Sequence, residues 1–531
     1  MPGDPSAIAR LRADLAPFTV DAVESLFGPL ASAALGREQS VPAILAVERS
    51  SEPIAALVAA FVLGRPVSRQ ALDAALPQLG TDGAVRLGLA EAAGQGPADQ
   101  VRPIVDLRPY AAVDAAGTAH WWVASDLAEL ATGAPLRPDH VLGVGGASVT
   151  LARCTIRRPV GSVLDLGTGC GVQALHARRH ARRVTATDLS ARALAFARFT
   201  LALNRGLNPG DEVPVELLEG SLLEPVAGRQ FDLVVSNPPF VITPRRPDVP
   251  AYEYRDGGLV GDALVERLVA GVGAVLAPGG VAQLLGNWEH RRGTPWQERV
   301  GAWLDASGLD GWIVQREVQD VAQYAETWIR DGGLPDPPRY AELYRAWLAD
   351  FEARQVEAVG FGMITLRRPA ADPGSAGGAL RGAGSGTPAG AGRPPLRRLE
   401  ELAGPLDRPV GDHLADCLDA ADWLAATGDE ALLASRLVVA SDVTEERHHR
   451  PGEEDPSVIL LRQGGGFGRV VRVGSELAAV VGACDGELAL GPIIGAVAQL
   501  VSEPVDAVQG AVVPALRALV ADGFARPARD G

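Results

Sequence analysis

Cysteine is scarce. Cys154, Cys170, Cys417 and Cys484 are the only four in 531 residues, and no two stand in C-x-x-C spacing. That pattern indicates neither a disulfide framework nor a thiolate zinc site, and a reducing cytosol is the expected compartment. Long apolar runs are missing as well. The most apolar stretch, Ile54 to Leu63, has ten residues, against the roughly 20 that a helix needs to cross a bilayer. The amino end carries Asp4 and Asp14 within a broken apolar pattern and lacks the form of a secretory signal. A soluble cytoplasmic protein with no membrane partner is expected. Positive charge is short too: 49 basic residues face 65 acidic ones, a net charge of −16. A surface of that sign argues against sequence-independent grip on phosphate backbones, though a local basic patch could still hold nucleic acid. His448-His449 is the one candidate metal pair, but adjacent side chains point apart and no third ligand is suitably spaced. No metal is expected.

What is present is a chain long enough for about three domains, with 47% apolar residues to fill their cores. Residues 1–108 read as a helical, winged-helix-like module. Apolar residues Leu11, Leu15, Phe18, Val23, Leu26 and Phe27 recur at helical spacing. Ser68 is a helix cap, a short helix is expected near Asp82 to Glu91, and strand-like Val101–Leu107 follows. The alternative is a helical cap on the next domain, because Arg69 and Arg86 make no basic stripe. Residues 109–369 alternate strands and helices as a parallel sheet does. Strands are expected at Ser162–Leu166, Val184–Asp188, Val215–Glu219, Asp232–Ser236, Gly280–Gly286, Trp312–Val318 and Ala358–Arg367. Pro278-Gly279-Gly280 should stop the helix before the fifth of these, and Thr150 should begin the helix after a glycine-rich stretch. Trp121-Trp122 offers either base stacking or core packing. An insertion of about 40 residues around Tyr324–Trp328, between the last two strands, is a candidate lid. Residues 370–396 hold eight Gly, seven Ala and four Pro and should form a flexible linker. Residues 397–531 have their own core pattern, again winged-helix-like, with a last helix at 511–522.

Three stretches of the middle domain carry chemistry. The first is Val163-Leu164-Asp165-Leu166-Gly167-Thr168-Gly169-Cys170-Gly171: an apolar strand, an acid, three glycines in five residues, then a helix. Glycines let the backbone turn and approach a ligand, and the helix start presents free N–H groups. The order G-T-G-C-G counts against the dinucleotide pattern G-x-G-x-x-G. The second is Asp188, 23 residues past Asp165 at the end of the next strand, where a carboxylate can accept both hydroxyls of a ribose. The third is Phe231–Ser236 leading into Asn237-Pro238-Pro239-Phe240. A buried strand delivers Asn237 at its carboxyl end, and the prolines fix the backbone. The Asn237 side-chain carbonyl and the Pro238 main-chain carbonyl can accept from one NH₂ group, while Phe240 lies against a planar amide or base. That fork suits a weakly nucleophilic nitrogen whose lone pair must be aimed at an electrophile.

On these residues, 140–290 resembles a class I S-adenosyl-L-methionine-dependent methyltransferase of the N-P-P-[Y/F] group, within an uncharacterised actinobacterial methyltransferase family. The group includes release-factor glutamine methyltransferases and RNA or DNA amino-methyltransferases. The resemblance implies an α/β fold: a Rossmann-like seven-stranded sheet with an antiparallel last strand. It implies that Asp165, Gly167, Thr168, Gly169 and Gly171 surround the methionine and ribose portion of the cofactor. Asp188 would take the ribose hydroxyls, Ser221 and Leu222 would lie by the adenine, and Asn237, Pro238, Pro239 and Phe240 would hold the target nitrogen, Asn237 also bordering the cofactor. After Phe240 the chain departs from the glutamine methyltransferases: Tyr252–Asp262 keeps glycines and an acid but has no E-P pair. With Arg245, Arg246 and Arg255 clustered nearby, a nucleic acid, chiefly RNA, is the favoured substrate. A protein glutamine is the alternative, and a cofactor-binding, DNA-binding regulator without turnover is the reading of another class. Arg178, Arg179, Arg182 and Arg183 read as a solvated helix face. Oligomeric state is not indicated.

Overall fold

The computed structural model describes residues 4–528 except 115, 134–135, 334–335, 371–394, 405 and 407. The expected linker at 370–396 lies almost wholly outside the described residues. The chain forms two compact units. The first holds the described residues up to 152, residues 159–370 and Arg397–Gly404; the second holds 153–158, 395–396 and the described residues from 406 on.

The first unit opens with α1 (Pro5–Leu15), α2 (Val20–Leu35), α3 (Val41–Glu48) and α4 (Pro53–Leu57), the last extended by a π-turn over Val58–Val62. Next come β1 (Val67–Ser68), α5 (Arg69–Ala75), α6 (Gly80–Arg86), β2 (Ala90–Ala92) and β3 (Gln100–Pro103). The three strands form one antiparallel sheet, ordered β1-β3-β2. Ser68 Oγ caps α5 by accepting from Ala71 N at 3.2 Å. The helix expected near 82–91 ends at Arg86, because Leu87, Leu89 and Ala90 turn into the core and the chain continues as β2. Arg69 is buried against Asp82, 3.0 Å away, so it faces no ligand.

A hairpin follows, β4 (Asp106–Asp114) and β5 (Gly117–Ser125), then α7 (Glu129–Thr132) and α8 (Gly146–Cys154). Trp121 and Trp122 are both buried in β5, with Trp122 Nε1 donating to Phe18 O at 2.8 Å and Trp121 Nε1 to Asp211 Oδ1 at 3.2 Å. Their indoles are therefore unavailable to stack a base. Thr150 sits within α8 rather than at its start, since the helix already begins at Gly146.

The main sheet contains β6 (Val163–Leu166), β7 (Val184–Asp188), β8 (Val215–Glu219), β9 (Phe231–Ser236), β10 (Leu276–Arg291), β11 (Asp310–Asp320), β12 (Val356–Arg367) and β13 (Arg397–Glu401). Their order is β13-β11-β12-β10-β9-β6-β7-β8, with β12 antiparallel to both neighbours and the other pairings parallel. Eight strands therefore replace the expected seven. The addition is β13, placed by sequence in the C-terminal domain, which pairs with the β11 edge from Gly311↔Arg397 to Gln315↔Glu401. Helices α9 (Val172–Arg178), α10 (Ala191–Leu203), α11 (Ala263–Gly271), α12 (Trp296–Ser307), α13 (Val321–Asp331) and α14 (Pro337–Ala353) pack around it. Pro278-Gly279-Gly280 lies inside β10, where the register with β9 shifts between Leu276 and Val281. A Cβ at 280 would come within 2.8 Å of the Phe231 and Ala277 carbonyls, so glycine serves a bulge there. One core, from Leu164 and Leu166 through Val234, Leu284 and Trp288 to Val300 and Leu304, fills one face of the sheet. A second, around Ile242, Tyr324, Trp347 and Phe351, joins α13 and α14 to the segment after β9.

The N-terminal module is tied to this sheet. Arg12 donates from Nε to Leu203 O and from Nη2 to Ala202 O, each at 2.8 Å, satisfying carbonyls at the end of α10. Arg178 and Arg179 do not form a solvated face. Arg178 Nε donates to Val213 O, and Arg179 forks onto Asp114 with both bonds at 2.7 Å. Arg182 and Arg183 remain exposed.

The second unit contains α15 (Gly411–Ala426), α16 (Asp429–Ala434), β14 (Arg436–Val439), β15 (Val443–His448), β16 (Val458–Gln463), β17 (Val470–Val473), α17 (Ser475–Gly482), β18 (Asp485–Ala489), α18 (Leu490–Val501), α19 (Val505–Ala521) and β19 (Ala525–Pro527). It has two three-stranded sheets, ordered β18-β14-β19 and β15-β16-β17. The last helix starts at Val505, before the expected 511, because Pro504 sets its entry.

Candidate active site

Leu166 ends β6 and hands the chain to the glycines. Gly167, Gly169 and Gly171 have φ of +75°, +54° and +87°, backbone that strains any residue with a Cβ. A Cβ at 167 or 169 would meet nothing within 4 Å, so those two leave open space beside the backbone. One at 171 would press on Ala197 of α10, 3.2 Å away, so that glycine lets two helices approach. Cys170 is buried, which pushes its thiol up to about 12; it stays protonated and is no nucleophile.

Asp165 is 1% exposed. Its Oδ2 accepts from Thr168 Oγ1 at 2.6 Å, while Oδ1 is buried with no partner. Burial pushes this carboxyl up to about 7, against the pull of the Thr168 hydrogen bond. Asp188, at the end of β7, accepts from Gly169 N through Oδ2 and from Ser190 N through Oδ1, each at 2.9 Å. Burial raises its pKa, while the backbone N–H groups act the other way. Its bond to Gly169 ties the second strand end to the glycine turn. Beyond β8, Gly220 N donates to the Asp188 main-chain carbonyl at 3.0 Å, which fastens the turn leading to Ser221 and Leu222 to the end of β7. Leu222 holds φ of +48°, strain of the kind that ligand-facing loops store.

Ser236 ends β9, its Oγ donating to Leu166 O at 2.7 Å and locking the β9 and β6 ends together. Asn237 follows, and its Oδ1 is buried without a partner. Within the turn, Phe240 N donates to Pro238 O at 2.8 Å. A carbonyl has two lone pairs, so one remains for a ligand. Phe240 packs between the two cores of the unit, and Val241 N donates to Arg255 O at 2.7 Å. The segment around Tyr252–Gly258 therefore backs the N-P-P-F turn.

The basic cluster expected here is neutralised. Arg245 pairs with Asp256, Arg246 with Asp248 at 3.0 Å, and Arg255 with Asp331 at 2.6 Å. The Arg255 guanidinium also lies 4.7 Å from the Tyr252 ring centroid and donates to Trp328 O at 2.8 Å, fastening the turn to α13. Sequence reasoning missed a bridge from the same helix. Tyr324 OH accepts from Ile242 N at 2.9 Å and from Asn287 Nδ2 at 2.7 Å, joining α13 and β10 to the residue after Val241. Its sequence signal was only a tyrosine in an insertion. Among the described residues, no cluster of three or more His, Cys, Asp or Glu could hold a metal ion, and no helix is long and apolar enough to cross a membrane.

Residues 144–292 match the methyltransferase small domain family. The chain carries a methyltransferase domain. On either side of it, residues 15–103 and 415–527 match two domain families of unknown function, DUF7059 and DUF7782. The methyltransferase domain is similar to the release factor glutamine methyltransferase of Deinococcus radiodurans, 42% identical over 134 residues, 23% of this chain and 44% of that protein. It is also similar to the ribosomal RNA small subunit methyltransferase C of Alcanivorax borkumensis, 33% identical over 129 residues, 24% of this chain and 33% of that one. A third relative is the ribosomal protein uL3 glutamine methyltransferase of Bradyrhizobium diazoefficiens, 31% identical over 169 residues, 29% of this chain and 51% of that protein. The chain thus spans about half the length of these relatives or less. The methyltransferase domain fits S-adenosyl-L-methionine as its cofactor: space beside Gly167 and Gly169 is open, the Asp188 carboxylate keeps lone pairs, and the buried Oδ1 of Asp165 awaits a donor.

Proposed function

We propose that this chain is an S-adenosyl-L-methionine-dependent N-methyltransferase acting on a planar amide or exocyclic amino nitrogen. The observation that carries the reading is the unpartnered, buried Oδ1 of Asn237 at the carboxyl end of β9, beside the Pro238 carbonyl. When bound, the cofactor supplies an electrophilic methyl group on a sulfonium. The residues do the rest. Asn237 Oδ1 and the free lone pair of Pro238 O each accept one N–H of the target NH₂. That fork turns the nitrogen lone pair toward the methyl and supports the positive charge that grows on nitrogen. Pro239 keeps the turn rigid, and Phe240 supplies a flat wall. No base need act before transfer, because the proton leaves a nitrogen already made acidic by methylation. Asp188 receives the ribose hydroxyls, Asp165 and the backbone of Gly167–Gly171 border the methionine portion, and Ser221 and Leu222 border the adenine.

Of the two substrate classes, a protein carboxamide is the better supported. The paired Arg245, Arg246 and Arg255 offer no free cations for phosphates, the net charge is −16, and two of the relatives above are named as glutamine methyltransferases. The RNA reading keeps one observation of its own, the helix–strand–helix–helix–hairpin order from α4 to β3, the order of a winged helix. Purified protein, methyl-labelled cofactor and a lysate lacking this gene decide between them. Label released only by protease is the expected result, label released by nuclease selects the RNA reading, and no label in either overturns turnover on macromolecules.

A further inference from the structure

The N-P-P-F turn runs on into backbone that belongs to no strand, so its buried N–H groups must find partners one by one. Phe240 and Asp256 form an isolated antiparallel bridge, and Val241 N donates to Arg255 O at 2.7 Å. Ile242 N donates to Tyr324 OH at 2.9 Å, and both of those residues are fully buried. This last partner is a side chain, and its helix, α13, lies beyond the residues 144–292 that match the methyltransferase family.

The Tyr324 hydroxyl is itself held in place. The Trp328, Trp347, Phe351 and Phe361 rings stand 5.6–6.0 Å from the Tyr324 ring centroid, and Asn287 Nδ2 donates to the same oxygen at 2.7 Å. Asn287 lies in β10, three residues past Leu284, which pairs with Ser236 at the end of β9. The bonds therefore close a loop: from Ser236 through the turn to Ile242, across Tyr324 to Asn287, and back along β10. Tyr324 and Asp331, seven residues apart, share one face of α13, and Asp331 holds Arg255 at 2.6 Å. Both bonds at the exit of the turn thus depend on that helix.

We propose that Tyr324 is a positioning residue for methyl transfer: its hydroxyl fixes the exit of the N-P-P-F turn and thereby the direction of the Asn237 fork. Pro238 and Pro239 hold φ near about −65°, so the turn is stiff between its ends. Ser236 Oγ, bound to Leu166 O, fixes where the turn starts, and Tyr324 fixes where it ends. With one end loose, Asn237 Oδ1 and Pro238 O no longer meet the target NH₂ at the angle that aims its lone pair, and a misplacement of about 1 Å costs about 100-fold in rate. Burial raises the pKa of the phenol, which keeps it neutral and unavailable as a base. The insertion that carries α13 then acts as a brace and not as a lid. This role rests on the methyl-transfer reading above and adds to it a residue that acts through Ile242.

Wild type, Tyr324→Phe and Asn237→Ala are compared as full chains. Label transfer from methyl-labelled S-adenosyl-L-methionine is measured over a dilution series of the lysate, and S-adenosylhomocysteine binding by calorimetry. Tyr324→Phe keeps the ring and removes only the oxygen. Its plateau rate per cofactor-binding site should fall by about 10- to 100-fold, with half-saturating lysate concentration and S-adenosylhomocysteine affinity unchanged. A purely structural tyrosine would lower the melting temperature and the share of binding-competent chains, but not the rate per site. Because loss of the oxygen leaves the buried Ile242 N–H unpaired, Asn287→Ala is the second variant. It loosens the hydroxyl without unpairing Ile242, and its plateau should fall by a smaller factor. A wild-type plateau per site in both variants, or a loss confined to half-saturation or to cofactor affinity, would overturn the role. Asn237→Ala separates that failure from failure of the parent reading. If it also turns over like the wild type, or the wild type labels nothing, the fork itself is wrong and the role falls with it.

Discussion

Asp165 is a carboxyl that the fold holds at a cost. Burial pushes it up to about 7 from an ordinary 3.8, so the folded chain binds a proton there that the unfolded chain has released. Between those values stability falls as pH rises: the contribution is complete below the unfolded pKa and gone above the folded one. Asp165→Asn removes the titration, so thermal melts from pH 5 to 8 should show a flatter decline than the wild type. A decline of equal steepness would mean that other groups cause it. Asp188 makes the complementary prediction. Asp188→Ala removes two hydrogen bonds to a charged acceptor and loosens Gly169 as well. Cofactor affinity should fall by about 10- to 100-fold by calorimetry. At this scale the glycine turn after β6 and the strand ends at Asp188 and Ser236 were legible in the sequence, because glycines, acids and the N-P-P-F turn act within a few residues of their own strand ends. Tyr324 and Asn287 were not. Each gains its partners from another element, and no local pattern records which strand lies opposite.

At the scale of elements, the clearest test is the crowded seam of β10, β12 and β11. A Cβ at Gly362 would collide with the Val314 carbonyl and sit 2.7 Å from the Trp288 ring. Gly362→Ala should therefore destabilise the first unit by about 1–3 kcal/mol or more, seen as a lower melting temperature; an unchanged melt would show that the seam yields. Strand positions in this sheet were legible because buried parallel strands read as short β-branched runs between turns. The eighth strand was not, since Arg397-Arg398-Leu399-Glu400-Glu401 is mostly charged and gains its place from a free edge beside β11. Its charges have specific uses: Glu400 accepts from Trp312 Nε1 at 2.6 Å and Glu401 from Trp296 Nε1 at 2.7 Å. The P-G-G bulge in β10 was misjudged for a related reason. Pro and Gly mark an interruption, but whether it stops a helix or kinks a strand depends on the neighbouring strand.

For the whole molecule, charge misled where local pairing decides. Arginines adjacent in sequence looked like patches, yet Arg179, Arg245, Arg246 and Arg255 each meet a carboxylate. An acidic chain with many arginines spends them on internal pairs, so clusters along the sequence do not measure the surface field. The central claim is that the Asn237 fork orients a nitrogen for methyl transfer, separately from holding the cofactor. It is tested most directly by comparing wild type with Asn237→Ala in two assays on the same preparations: label transfer from methyl-labelled S-adenosyl-L-methionine to the lysate, and S-adenosylhomocysteine binding by calorimetry. The account predicts that transfer falls by about two to three orders of magnitude while binding is unchanged. Transfer near the wild-type rate in Asn237→Ala would contradict it.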